Sequence, residues 1–92
     1  MQVMDDHYYA EVIIKDPNDY DAIEIRGVRD SIEHPSCCEV DDSDPLFYST
    51  YVHLKRGGLE CVGDFNTAEA AREYANKLSH KYGWPVANYT SR

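Results

Sequence analysis

Leu46–Gly83 reads LFYSTYVHLKRGGLECVGDFNTAEAAREYANKLSHKYG, a hairpin pattern followed directly by a helix pattern. Its first ten residues alternate like a strand. Leu46, Tyr48, Thr50, Val52 and Leu54 share one face, and Phe47, Ser49, Tyr51 and His53 share the other. Arg56-Gly57-Gly58 then supplies a hairpin turn, because glycine accepts the positive φ that tight hairpins need. Leu59–Phe65 is the return strand, with Leu59, Cys61 and Phe65 on one face and Gly63 marking a bulge or bend. A helix follows. Asn66 is placed to cap it, Glu69 to complete a capping box, and Phe65 and Ala70 to form a hydrophobic staple. Ala68, Ala71, Ala75, Leu78 and Tyr82 recur every three or four residues as an apolar stripe, with Tyr74 at its edge. His80 and Lys81 suit the negative end of the helix dipole, Gly83 suits the residue after it, and Pro85 prevents continuation.

Downstream, Val86–Thr90 predicts a short last strand. Upstream, the aromatic and β-branched run Tyr8–Ile14 predicts a strand, ended by Asp16-Pro17-Asn18-Asp19. Ala22–Val28 reads two ways. Ile23 and Ile25 alternate as in a strand, whereas Ile25, Val28 and Ile32 fit a helical stripe; Gly27 and the β-branched residues favour the strand. Ser31–Pro45 holds two prolines, two serines and the densest acids, and reads as a loop. The expected architecture is α+β: one domain over residues 1–92, with a twisted antiparallel sheet of three to five strands packed on one C-terminal helix.

The charge is lopsided. Residues 1–45 hold 13 of the 17 acids and 3 of the 9 bases, a balance of 3 − 13 = −10; residues 46–92 hold 4 acids and 6 bases, or +2, which gives the net −8. A protein that neutralises phosphates needs a basic stripe, so this composition argues against direct nucleic-acid binding. No apolar run approaches the length of a membrane span, and Met1–His7 lacks the basic and apolar regions of a secretory leader. Three cysteines, an odd number, fit a reducing cytoplasm better than a disulfide framework.

The chemistry-bearing candidates are few. His34, Cys37, Cys38, His53 and Cys61 offer zinc-ligand atoms, but no Cys-x-x-Cys pair is present and adjacent cysteines are poor geometry for two ligands. The acidic turns lack the EF-hand pattern for calcium, and no nucleophile elbow or phosphate loop is present. The reading is therefore a protein without cofactor or catalytic role. Its expected binding surface is Asp16, Asp19, Asp21, Asp30, Glu33, Glu39, Asp41, Asp42 and Asp44, with Tyr20 and Tyr48 as aromatic anchors. Carboxylates around tyrosines suit an Arg/Lys-rich partner through steering, salt pairs and ring contacts.

Short length, the clusters Asp16-Pro17-Asn18-Asp19-Tyr20-Asp21 and Glu39-Val40-Asp41-Asp42-Ser43-Asp44, and the ending Tyr82-Gly83-Trp84-Pro85 together resemble the small acidic inhibitors of phages and mobile elements. These include anti-CRISPR proteins and other DNA mimics. The resemblance is one of type across the whole chain. It implies non-catalytic inhibition in a bacterial cytoplasm: the acidic face occupies the basic nucleic-acid channel of a partner such as a CRISPR effector and blocks its target DNA. Two readings stand beside it. One is an immunity protein or antitoxin capping a basic nuclease toxin, and the other is a small structural zinc module.

Overall fold

The hairpin forms where its sequence places it. β4 (Phe47–Leu54) and β5 (Leu59–Phe65) pair antiparallel. Gly57 and Gly58 turn the chain at φ 105° and 97°, the half of backbone space that favours glycine. Tyr48, Thr50, Val52 and Leu54 are buried, as the alternation predicts. The return strand departs from the expected phase. Thr50 pairs with Gly63 but Tyr51 pairs with Cys61, so Val62 is the extra residue of a bulge. The slip puts Val62 into the core with Phe65 and leaves Cys61 half-buried and Leu59 exposed, which breaks up the expected Leu59–Cys61–Phe65 face. The computed structural model describes residues 7–30, 38–40, 42 and 45–90.

α2 (Ala68–Tyr82) carries the predicted stripe, with Ala68, Ala71, Ala75 and Leu78 buried. Its cap is Thr67 rather than Asn66, and the Thr67 hydroxyl accepts the Ala70 N–H at 3.1 Å. Phe65 still belongs to β5 opposite Tyr48, so Asn66 serves as the link between strand and helix. The one-residue shift takes Glu69 and the Phe65/Ala70 pair out of capping-box and staple register. Small alanines let the helix sit close to the sheet, close enough for the fully buried Thr50 hydroxyl to donate to the Ala71 carbonyl at 3.0 Å. Gly83 ends the helix at φ 76°, its N–H bonded to the Ser79 carbonyl.

Trp84 then redirects the chain. Its ring stacks on Tyr82 at 4.5 Å and tilts against Tyr20 at 5.8 Å, and its carbonyl accepts the Ser79 hydroxyl. The chain leaves it as β6 (Val86–Asn88), which runs parallel to β2 (Tyr20–Asp30). β2 resolves the ambiguity of Ala22–Val28 in favour of a strand: it pairs with β4 along nearly its whole length, and Ile23 and Ile25 are fully buried.

Two short strands share the other edge of β2. β6 pairs with Ile23–Ile25, and β3 (Cys38–Val40) pairs antiparallel with Val28–Asp30. β3 is a correction to the loop expected over Ser31–Pro45. The fold is α+β, and the expected sheet-on-helix packing is present. Among the described residues, three long antiparallel strands are bordered by short ones in a mixed six-stranded sheet of order β1 (His7–Tyr8)-β5-β4-β2-β3 with β6 beside β2.

The N-terminal segment is the other correction. Only β1 (His7–Tyr8) is strand, paired with β5, and α1 (Ala10–Ile13) is a single helical turn. Ala10, Ile13 and Ile14 are spaced as on a helix and pack inward, while Val12 is 71% exposed. The Tyr74 hydroxyl accepts the Ala10 N–H at 3.1 Å and pins the turn to α2.

Candidate functional site

Between β6 and β3 the edge of β2 has a gap at Arg26 and Gly27, and Asp42 closes it. One Asp42 oxygen accepts the Gly27 N–H at 2.8 Å, and the other accepts Arg26 Nη1 at 2.9 Å. Arg26 also pairs with Glu24 at 3.2 Å, and its guanidinium lies 3.7 Å from the centre of the Tyr89 ring, just beyond β6. Burial pulls the Arg26 guanidinium toward deprotonation, but the hydrogen bond and charge of Asp42, then those of Glu24, outweigh it and hold its pKa above the ordinary value. Asp42, expected on the docking surface, is therefore half-buried and engaged internally.

The other expected residues separate. Asp16 caps the 3₁₀ turn Pro17–Asp19 by accepting the Asn18 N–H at 3.0 Å. The Asp19 carbonyl accepts the Lys55 N–H, and a 130 Å³ depression lined by Asn18, Asp19, Lys55 and Arg56 mixes both signs of charge. Asp21 meets His53 Nδ1 at 2.7 Å on the surface. Asp30 ends β2 opposite Cys38, and Glu39 pairs in register with Arg29. Glu33, Asp41 and Asp44 lie outside the described residues. Asp21 and Asp30 stand at opposite ends of β2, about 30 Å apart at the usual rise per residue. Along the described backbone these positions thus separate toward the two ends of β2 and do not form one continuous patch.

Tyr20 and Tyr48 are not surface anchors. Both are buried in the core, Tyr20 against Trp84 with its hydroxyl donating to Glu60 at 3.3 Å. A register shift between Tyr20 and Ala22 accompanies this placement.

Sequence reasoning missed a polar cluster on the sheet face away from α2. The Asp64 carboxylate accepts the Ser49 hydroxyl at 2.6 Å, the Cys61 thiol at 3.4 Å and the Tyr9 hydroxyl at 3.4 Å. Tyr9 also reaches Cys61 Sγ at 3.3 Å. Ser49 pairs with Asp64 across the hairpin, a signal readable once the register is fixed; the contribution of Tyr9 from beyond β1 is not. Burial, followed by its Cys61 and Asp64 contacts, raises the Tyr9 phenol well above its usual value. Burial likewise raises the Cys61 thiol against the lowering effect of the Tyr9 hydrogen bond, with Asp64 charge adding to the rise. A thiol held protonated is a poor nucleophile and a poor metal ligand.

Burial, first of all causes, also raises the phenols of Tyr20 and Tyr74. These tyrosines keep their protons in the folded chain at a pH where the unfolded chain has lost them. Their contribution to stability is complete below the ordinary phenol value near 10 and is lost as pH rises through and above it. The urea midpoint is expected to be level from about pH 7 to 9 and to fall from about pH 10 upward. A midpoint unchanged through pH 11 would show that the phenols ionise without penalty.

His34 and Cys37 of the zinc alternative lie outside the described residues. Cys38 and Cys61 sit on β3 and β5, three strand steps apart in the sheet, or about 14 Å. That spacing prevents a shared metal and also a disulfide between them. Among the described residues no group of three or more His, Cys, Asp or Glu could hold a metal ion, and no helix is long and apolar enough to cross a membrane. Comparison with protein-family models, curated proteins and solved structures finds no match to this chain.

Proposed function

We propose that the protein is a non-catalytic binding protein whose acidic ends engage the basic nucleic-acid-binding surface of a partner, in the manner of the acidic phage inhibitors it resembles. One observation carries this reading. Residues 1–45 contain three bases, and Arg26 is committed internally to two of the thirteen acids, Glu24 and Asp42. The remaining balance is (3 − 1) − (13 − 2) = −9, against −10 before pairing, so internal pairing leaves nearly all of the acid excess in place. Concentrated charge of this kind steers association with a cationic surface and excludes DNA from the protein itself. A CRISPR effector is the instance the resemblance indicates, with target-DNA binding as the step blocked.

The test is capture of partners from a bacterial host lysate at low and high salt, followed by binding kinetics with the recovered protein. Asp16→Lys with Asp19→Lys reverses charge at exposed positions and is expected to slow association about tenfold at low salt, with little effect at high salt. Salt-independent capture, or association unchanged by the double reversal, would make the acidic turn a solubility feature. A mobility shift of DNA by the isolated protein would also contradict the mimic reading.

A further inference from the structure

At the edge of the sheet farthest from β3, β1 and α1 leave an aromatic ridge exposed. Tyr8 is 67% exposed and Val12 71% exposed, although both lie in ordered elements next to the core. Tyr8 stands between two depressions. One, of 320 Å³, runs along α1 and is lined by Glu11, Val12 and Tyr74 among others; the other, of 200 Å³, runs along α2 and includes Phe65, Glu73 and Lys77. Tyr8 and Tyr74 line both, so the two form one groove divided by a ring. Tyr8 lies parallel to Phe65 with ring centres 6.5 Å apart and tilts at 42° against Tyr74, contacts that orient its ring while most of the residue stays exposed. Glu11 lines one depression and Glu73 the other, both exposed; Lys77 also lines the second, and Lys81 lies near enough to Tyr74 to act on its phenol.

An exposed ring oriented by its neighbours, with a carboxylate-bearing residue lining the groove on each side, matches an arginine side chain. The guanidinium lies flat on the ring, its aliphatic stem covers the apolar floor, and its N–H groups reach a carboxylate. A lysine ammonium would fit the charge but not the flat stacking. An apolar segment would leave both carboxylates beside uncharged surface. We infer that the Tyr8–Tyr74 groove docks an arginine-bearing segment of a partner protein, with the guanidinium stacked on Tyr8 and paired with Glu11 or Glu73. The site lies across the sheet from the edge closed by Asp42, and it stands whether or not the acidic ends of β2 engage a nucleic-acid-binding surface.

The probe is the peptide acetyl-Ala-Arg-Ala-Arg-Ala-amide, titrated into the isotope-labelled protein and followed by amide NMR shifts. Its counterpart carries citrulline, the uncharged isostere, at both arginine positions. Saturable shifts are expected at Tyr8, Glu11, Val12, Glu73 and Tyr74, with the citrulline peptide binding about fivefold more weakly or worse. Tyr8→Ala should weaken arginine binding by about fivefold while Tyr8→Phe retains it, because the ring face rather than the hydroxyl is the contact. Glu11→Gln with Glu73→Gln should weaken it, and Lys77→Gln should strengthen it. These substitutions are at exposed positions, so they read binding even if Tyr8→Ala loosens β1. The proposal is overturned by equal affinity for the two peptides, by shifts gathered at residues 16–21, or by no change in the Glu11/Glu73 variant. It is also overturned if groove shifts change on diluting the protein alone, which would identify a second copy as the occupant.

Discussion

Ala75→Asp should abolish the cooperative folding transition. Ala75 is fully buried at the middle of the α2 stripe, within the cluster that joins the helix to β2, β4 and β5. A carboxylate there must either remain charged without solvent or take up a proton that it does not normally hold at neutral pH. Either course costs several kcal/mol, about 4 or more with the added crowding of a larger side chain. A domain of this size has a total stability of about 5–14 kcal/mol at ordinary per-residue values. The loss therefore takes at least about a third of that total, and most of it if the stability lies toward the lower end. Circular dichroism during heating should show no sigmoidal transition, or one shifted far down. Asn76→Asp adds the same charge at an exposed neighbouring position and should change stability by about 0.5 kcal/mol or less. Equal melting of the two variants would mean that the helix buries a different face.

The stripe that makes this prediction sharp was legible in the sequence because helix and hairpin are local structures. Their periodicities of 3.6 and 2 need no knowledge of the rest of the chain. What escaped was set by pairing between distant segments. Thr67 rather than Asn66 caps α2 because Phe65 is held in β5 opposite Tyr48. Cys61 turns outward because a bulge at Val62 shifts the phase of β5. Both corrections are one-residue events, and a one-residue slip in a strand exchanges its faces. The turn at Ala10–Ile13 was in principle readable, since Ala10, Ile13 and Ile14 have helical spacing, but the β-branched content of Tyr8–Ile14 masked it. β3 is three residues long and lies among acids, with no pattern long enough to detect.

The candidate surface was legible as composition and not as geometry. Counting charges locates the acids in residues 1–45, yet it cannot show that Asp42 faces inward or that Tyr20 and Tyr48 join the core. Tyr20 illustrates the difficulty. A tyrosine between two aspartates reads as exposed, but its ring has Trp84 to pack against and its hydroxyl has Glu60 to reach. Burial of an amphipathic side chain costs little when its polar tip is satisfied. No buried side-chain nitrogen or oxygen among the described residues lacks a hydrogen-bond partner, so the polar groups drawn inward are matched rather than stranded.

Arg26→Ala is the second large effect expected, because one side chain ties three segments together. Its guanidinium holds Glu24 on its own strand, Asp42 from the acidic stretch, and the Tyr89 ring beyond β6. Removing it leaves two half-buried carboxylates facing each other without a cation. With the Arg26 side chain 26% exposed, solvent screens part of the loss, and about 2–3 kcal/mol is expected rather than the larger cost of a fully buried pair. Asp42 has a second role that separates charge from hydrogen bonding. Asp42→Asn keeps an oxygen for the Gly27 N–H and removes only the charge, so it should cost less than Asp42→Ala, which strands that amide at the edge of β2. In a double-mutant cycle, Arg26→Ala and Asp42→Asn should be coupled by about 1–2 kcal/mol. Hydrogen exchange should localise the change: the Gly27 and Tyr89 amides, bonded to Asp42 and to the Ile25 carbonyl, should lose protection first. Coupling below about 0.5 kcal/mol, with protection at Gly27 unchanged, would show that Asp42 rests on the surface and does not close the edge.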